Sequence, residues 1–423
     1  MRRIGDDYRL SASDLMRFKV CRHAITLDRR RLEGEALTPA ADSAEAKLVQ
    51  DQGDAHEAAY LARCRDAGRQ VTEIEKDGLT LEESVARTIA AMEAGAEIIF
   101  QGAFLSGPWG GYSDFLERVE RPSARWDWSY EVVDTKLKRS ADPKHILQLA
   151  LYSDLVAEIQ GTTPIAAHLE LGNGERFTVQ LDQVSSYARR ARGRLENFLI
   201  ERPETRPEPV SFCTLCPWRE HCAAEWEAAD SLVLVANINR SQRDKLAAAG
   251  VTTIVELAER EAPVPKLAPE TLARLQVQAR LQAARRRGGG PAFELRPHEA
   301  GRGFDLLPAA DDGDLFYDIE GDPYYPGGLE YLHGVWYRHL GDWRFRAFWA
   351  HDHKAEGQAI DDLLGFFATH LKAHPKAHIY HYANYEIAAL KRLAMAHRIG
   401  EAVLDQPLRE RRFGDLFKGG GGA

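Results

Sequence analysis

No stretch of this 423-residue sequence is apolar for long enough to cross a bilayer. Arg2 and Arg3 follow Met1 with no apolar run behind them, so a protein without a secretory signal, and hence a cytoplasmic one, is expected. No G-x-x-x-x-G-K-[ST] phosphate loop occurs, and the chain should not hydrolyse ATP itself. Cysteine is scarce: Cys21, Cys64, Cys213, Cys216 and Cys222 make an odd set, which argues against a disulfide framework in a reducing compartment. Positive charge is not in excess either. The formal net charge of −9 speaks against coating of nucleic acid by the whole surface, while leaving room for a local basic groove. What is present, 44% hydrophobic and 28% charged residues, describes a globular protein long enough for two or three domains.

Pattern and punctuation predict an α/β chain. Residues from Ser11 to about 31 read as a helix and turn, with Ser11 or Ser13 as N-cap, and 43–67 as a second helix carrying His56. A strand over 97–105 should run through a tight GPWGG connection into a returning strand at 112–119. A further strand covers roughly 128–137. Asp142-Pro143 opens a helix to about 159, with the aspartate as cap and proline at its first position. A hairpin turning at Asn173-Gly174 and an Arg-rich helix from 182 to about 201 follow. Residues 236–258 suggest two short helices joined at Ala-Gly-Val, a pattern that resembles a helix–hairpin–helix element. ARRRGGGPA at 284–292 reads as a linker. After it come three apolar-rich strands, a helix near 355–372, the strand AHIYHY and a helix over 385–397.

On the strand 128–137, side chains alternate, so Asp134 and Lys136 share one face. A carboxylate and a lysine so spaced can hold a divalent ion and orient water or neutralise phosphate charge; alone, such a pair is usually a surface ion pair. Asp114 on the preceding strand can supply a second carboxylate and His56 a neutral nitrogen, with Glu57 as the lesser alternative. Gln148 and Tyr152 fall one helical turn apart. This ordered set of His, Asp, D-x-K and Q-x-x-x-Y resembles the RecB-like nucleases of the PD-(D/E)xK class over roughly residues 8–226. The resemblance implies His56, Asp114 and Asp134 as ligands of Mg²⁺ or Mn²⁺, with Lys136 assisting hydrolysis and Gln148 and Tyr152 completing the catalytic group. Lys138, Arg139, Lys144, Arg189, Arg190, Arg192 and Arg194 could guide the DNA backbone, or simply solvate helix faces.

Cys213, Cys216 and Cys222 form C-x₂-C-x₅-C, one thiolate short of a four-ligand site. Cys21 and Cys64 are the candidates for the fourth; Cys64, in an Ala-rich helix, suits a packing role, and Cys21 is the one that a family resemblance implies. The arrangement resembles a subset of the RecB family, including AddB-type nucleases and CRISPR-adaptation exonucleases, in which a [4Fe–4S] cluster pins the domain ends together. The resemblance implies an iron–sulfur clamp closing a loop of about two hundred residues. Zinc is the alternative, with His23 or His221 as substitute ligands.

In the second half, DLFYDIEGDP places Asp318 and Glu320 on one strand face. This D-x-E resembles the first motif of DEDD exonucleases of the RNase H-like superfamily, with Glu386 standing in the second motif. The further acids such a family needs have no counterpart here, Asp415 being a poor match, so this domain is expected to be incomplete and inactive. The domain order resembles RecB-like nucleases whose larger members continue into a superfamily 1 helicase, and the chain is expected to be the front part of such a protein. The fold expected is thus a restriction-endonuclease-like PD-(D/E)xK core with iron–sulfur-clamped helical flanks (1–228), a helical spacer (229–290), and a truncated RNase H-like domain (291–423). The function expected is a Mg²⁺- or Mn²⁺-dependent DNA exonuclease acting on single-stranded ends in repair or recombination, partnered by a helicase domain or subunit. The alternatives are a non-catalytic DNA-targeting module and a zinc-stabilised protein of similar fold.

Overall fold

The computed structural model describes residues 1–420 apart from 43, 289, 291, 292, 296 and 297, with the backbone alone for residue 45. The chain divides into two compact units, Met1–Pro291 and Ala292–Ala423. Part of the expected 284–292 linker and the end of the terminal GGGGA lie outside the described residues.

The first unit opens with a short hairpin, β1 (Arg2–Ile4) and β2 (Asp7–Arg9), followed by α1 (Ala12–Val20) and α2 (Arg22–Leu32). The single helix expected here is two, because Cys21 takes an extended backbone that ends one and starts the other. Ser11 caps α1 in a reciprocal box with Asp14. After α3 (Ala44–Asp66), β3 (Val71–Glu73) and α4 (Leu81–Glu93) come four short strands: β4 (Ile98–Phe100), β5 (Ala103–Ser106), β6 (Trp109–Tyr112) and β7 (Phe115–Val119). Next are β8 (Ser129–Lys136), α5 (Pro143–Gln160), β9 (Ala166–Leu171), β10 (Arg176–Gln180) and α6 (Ser185–Glu201). Among the described residues the main sheet runs β10-β9-β8-β7-β4-β3, with β5 and β6 paired separately. Buried residues on nearly every position of β8 mark it as a central strand covered on both faces.

The long hairpin departs from its predicted form. Gln101 adopts φ 60° and Gly102 follows it, so the outgoing strand breaks into β4 and β5. The returning strand breaks opposite, at Ser113 and Asp114, and Gln101 N–H to Asp114 O (2.8 Å) and Ser113 N–H to Gly102 O (2.9 Å) hold the two breaks together. GPWGG is therefore largely strand, its tip anchored by fully buried Phe104 and Trp109. Burying each ring completely contributes about 1.5–3 kcal/mol.

The rest of this unit is helical: α7 (Arg219–Ala228), α8 (Arg240–Ala248), α9 (Ile254–Glu259) and α10 (Pro269–Arg286). A small core of Leu246, Val251, Ile254, Leu257, Leu272 and Leu275 unites the last three. α8 and α9 are the expected helix pair, turning at Gly250 with φ 77°. The turn amides of Thr252 and Thr253 already donate to Glu256, at 2.7 and 3.0 Å, so the helix start is satisfied from within.

In the second unit, β11 (Leu315–Asp322), β12 (Leu329–His339), β13 (Asp342–Trp349), α11 (His353–Ala373), β14 (Ile379–His381), α12 (Tyr385–His397), α13 (Glu401–Arg409), β15 (Phe413–Asp415) and α14 (Leu416–Gly420) follow in order. The strands pair as β13-β12-β11-β14-β15, with β14 parallel to β11 and β15 parallel to β14. Tyr317, Ile319 and Val335 turn toward α11 and α12 to form the core. The opposite face carries partly exposed rings, with Phe316 against Tyr380 (5.4 Å between centroids) and Trp336 against Trp343 (6.1 Å).

Candidate active site

Asp134 lies near the end of β8 and is fully buried. The Lys136 ammonium pairs with Asp134 Oδ2 and donates to the Thr135 carbonyl at 2.9 Å. Gln148 Nε2, one turn along α5 from Tyr152, donates to Asp134 Oδ1 at 3.1 Å. α5 is aimed by its start: the Asp142 side chain accepts the Lys144 N–H at 3.1 Å, with Pro143 at the first position. Asp114 immediately precedes Phe115, which pairs with Val133, so it comes to rest beside the end of β8. There its Oδ2 accepts the Thr135 N–H (2.8 Å) and Oγ1–H (2.9 Å).

The electrostatics follow from this crowding. Burial and the neighbouring Asp114 carboxylate raise the Asp134 carboxyl well above the usual range, against the pull of Lys136. Burial alone would lower Lys136, but Asp134 and Asp114 outweigh it and raise it. Glu57 on α3 is pushed up to about 7 by burial and by Asp114, and Gln101 Nε2 donates to its carboxylate. His56 points elsewhere in the same region, its Nε2 lying 3.2 Å from the Glu170 carbonyl of β9. Tyr152 is buried against Phe104 (5.8 Å between centroids), and burial raises its hydroxyl. Its Oη leaves little space at Gly111, where a Cβ would stand 3.0 Å away.

The structure thus brings Asp114, Asp134, Lys136 and Gln148 together, with Glu57 coupled to Asp114. Thr135 and Gln101 join the cluster although the sequence reading passed over both. The glycine after Gln101, interrupting a strand pattern, was the available signal for the second. Of the basic residues, Arg189 and Arg192 are engaged by Asp154 (3.3 and 3.2 Å), and Lys138 by Asp142 at 2.8 Å. Arg139, Arg190 and Arg194 are exposed.

The iron–sulfur expectation needs correction, and with it the AddB-type and CRISPR-adaptation-exonuclease resemblance, the clamped-flank fold and the zinc alternative. Among the described residues, no group of three or more His, Cys, Asp or Glu side chains is placed to hold a metal ion. Cys21, Cys213, Cys216 and Cys222 line an apolar cavity of about 290 Å³ with Ala24, Phe212 and Trp218. Burial raises the Cys216 thiol and pushes Cys222 up to about 12, so these two sulfurs pack as neutral, weakly polar groups. His221 sits 2.9 Å from Glu225, and His23 Nδ1 is 2.9 Å from the Thr205 hydroxyl. The two chain segments are nonetheless joined, by ordinary contacts. Buried Trp218 donates to Asp28 at 3.0 Å, Thr205 to Thr26 at 3.0 Å, and Arg219 to the Ala41 carbonyl at 2.8 Å.

Residues 11–223, just over half the chain, match the PD-(D/E)XK nuclease superfamily. The chain belongs to the PD-(D/E)XK nuclease superfamily. Membership gives the cluster around Asp134 a fold built for phosphodiester hydrolysis, and it covers both the D-x-K strand and the cysteine-lined cavity. Residues 315–419 match the RNase H superfamily. No curated protein matches the chain.

Within that RNase H-like unit the acids do not converge in the same way. Asp318 and Glu320 are exposed on the open face of β11, alternating with core-facing Tyr317 and Ile319. Glu386, in the first turn of α12, is buried and lies 3.7 Å from His381. It adds to the burial that raises the core-facing Tyr317 hydroxyl. Gly321 follows the pair because a Cβ there would collide with the Glu330 carboxylate.

Proposed function

We propose that the first unit is a Mg²⁺- or Mn²⁺-dependent deoxyribonuclease acting as an exonuclease on single-stranded ends, in a cytoplasmic repair or recombination role alongside a helicase. The observation that carries this reading is the buried Asp134 carboxylate, ion-paired to Lys136 and crowded by Asp114. Asp134 Oδ2 is buried against the Lys136 ammonium, so this oxygen already sits in a setting that favours a cation. Asp114 and Asp134 would hold the ion. Two carboxylates suffice for Mg²⁺, which commonly takes its other ligands from water and substrate phosphate. When bound, the ion supplies Lewis-acid polarisation of the phosphate and an activated water.

The chain's own groups account for the remainder. Lys136 places a fixed ammonium where phosphate charge builds up in the transition state. Gln148 holds Asp134 in one orientation, and Thr135 does the same for Asp114. Tyr152 is buried beside them, with its hydroxyl close to Gly111.

The test is incubation of the purified chain with 5′- and 3′-labelled single- and double-stranded DNA and Mn²⁺. Asp134→Ala and Lys136→Ala should each reduce cleavage by roughly 10²–10³-fold or more. Cleavage persisting in both variants would remove the assignment of catalysis to this site, whereas no cleavage by the parent chain would leave a non-catalytic DNA-targeting module as the better description.

A further inference from the structure

We infer that Gln101 is a positioning residue for the nuclease site, tying Glu57 to the Asp114 segment across the broken hairpin. This inference rests on the metal-dependent reading above. Gln101 is a non-glycine residue at φ 60°, a conformation that a Cβ disfavours and that glycine would adopt freely. Glycine stands at the very next position, so the chain could have turned here without a long side chain.

Two bonds, one from its main chain and one from its side chain, give the residue this role. The backbone N–H of Gln101 donates to Asp114 O at 2.8 Å, fixing the strand that delivers the Asp114 carboxylate. The side-chain amide donates to the Glu57 carboxylate on α3. One residue therefore grips the hairpin with its main chain and the helix with its amide. Neighbouring bonds stiffen the same corner: Ser113 N–H to Gly102 O at 2.9 Å and Ala103 N–H to Thr88 Oγ1 at 2.9 Å. A half-buried glutamine in this position touches no atom that reacts. It sets the separation between Glu57 and Asp114, the acids that bear on Asp134 and Lys136.

Gln101→Met keeps the length and removes the amide; Gln101→Gly also relieves the backbone, so a folding defect in one leaves the other decisive. Mn²⁺ binding to the full chain is measured by isothermal titration calorimetry, beside thermal melts and steady-state DNA cleavage. Both variants should melt near the parent, with Gln101→Gly at or above it. Mn²⁺ affinity should fall about tenfold or more, as for other groups that orient ligands, and kcat should fall while KM for DNA holds. In a Glu57→Gln background, Gln101→Met should add little, because its effect passes through Glu57. Affinity and kcat within twofold of the parent in both variants, or a full further loss in the Glu57→Gln background, would overturn the inference while leaving the nuclease reading intact. A parent that binds Mn²⁺, weakens on Gln101→Met, yet cleaves no DNA would sustain the positioning role and remove the nuclease reading. A parent that binds no Mn²⁺ overturns both.

Discussion

Asp134-x-Lys136 and Asp318-x-Glu320 are equally short motifs on equally interior strands, one in each unit, and they meet opposite surroundings. β8 is covered on both faces, and α3, α5 and the broken hairpin all deliver a side chain to its end. β11 is covered on one face only among the described residues. Its acids stand on the other, exposed among aromatic rings, while Glu386 lies buried beside His381. Charge spacing along a strand supplies candidates. What converts a candidate into a site is a second and third element that bury it and leave its charge incompletely compensated.

The sharpest way to break the comparison is to neutralise each pair in turn. Against the large loss expected for Asp134→Ala, the double variant Asp318→Asn/Glu320→Gln should leave the cleavage rate within about twofold and stability within about 0.5 kcal/mol. A loss comparable to that of Asp134→Ala would place catalysis in the second unit instead.

A smaller effect is expected at the cysteine-lined cavity. Trp218 is buried and ties the segment just before α7 to α2 through Asp28. Trp218→Ala should cost about 3–5 kcal/mol of unfolding free energy, measured by denaturant titration. A cost under 1 kcal/mol would mean that packing at this seam is not what joins the two segments.

The smallest effect concerns acid. Burial would raise the Glu117 carboxyl, but Arg176 at 3.0 Å, Tyr60 and Arg69 outweigh it and hold it at about 2, below its ordinary 4.5. Burial lowers His333, hydrogen-bonded to Tyr317 at 2.8 Å, to about 4 from 6.5. In both cases the unfolded chain binds the proton more readily, so stability falls as pH falls. The windows differ: 6.5 down to 4 for His333, and 4.5 down to 2 for Glu117. Hydrogen-exchange mass spectrometry, corrected for intrinsic rates, should show β11 and β12 losing protection at higher pH than β7 and β10. The reverse order would contradict the assignment, and Glu117→Gln should flatten the lower window.

Much of the fold could be read directly from pattern and punctuation. Asp142-Pro143, Asn173-Gly174 and the alternation through β8 act locally, and local rules place them. The helix over 385–397 was located to the residue. The broken hairpin was less accessible, because its cause is tertiary. Gln101 turns where it can reach Glu57, 44 positions earlier, and no window of neighbouring residues contains that partner. The site divides along the same line. Asp134, Lys136, Asp114 and Gln148 could be grouped from their order, and the fold brings them together, whereas Thr135 required knowledge of what lay across from it. Glu57 ranks below His56 in the sequence, and its place in the cluster rests on Gln101 and Asp114, which only the folded chain brings to it. The cysteines misled for a related reason. Their spacing describes convergence well, and converge they do, but spacing cannot report that the meeting place is an apolar hollow.

The double break in the hairpin has one further consequence, for where the sheet can tolerate extra length. At the Asn173-Gly174 turn, both residues are exposed, so residues inserted between them would lengthen a loop. At Gln101-Gly102 and Ser113-Asp114, an insertion on either side would slide one break past the other. By the alternation of the strand, it would turn Asp114 to the opposite face of the sheet. Of two hairpins in the same unit, one is thus an open seam for tags or grafted segments, and the other is a fixed gauge whose length is part of the chemistry.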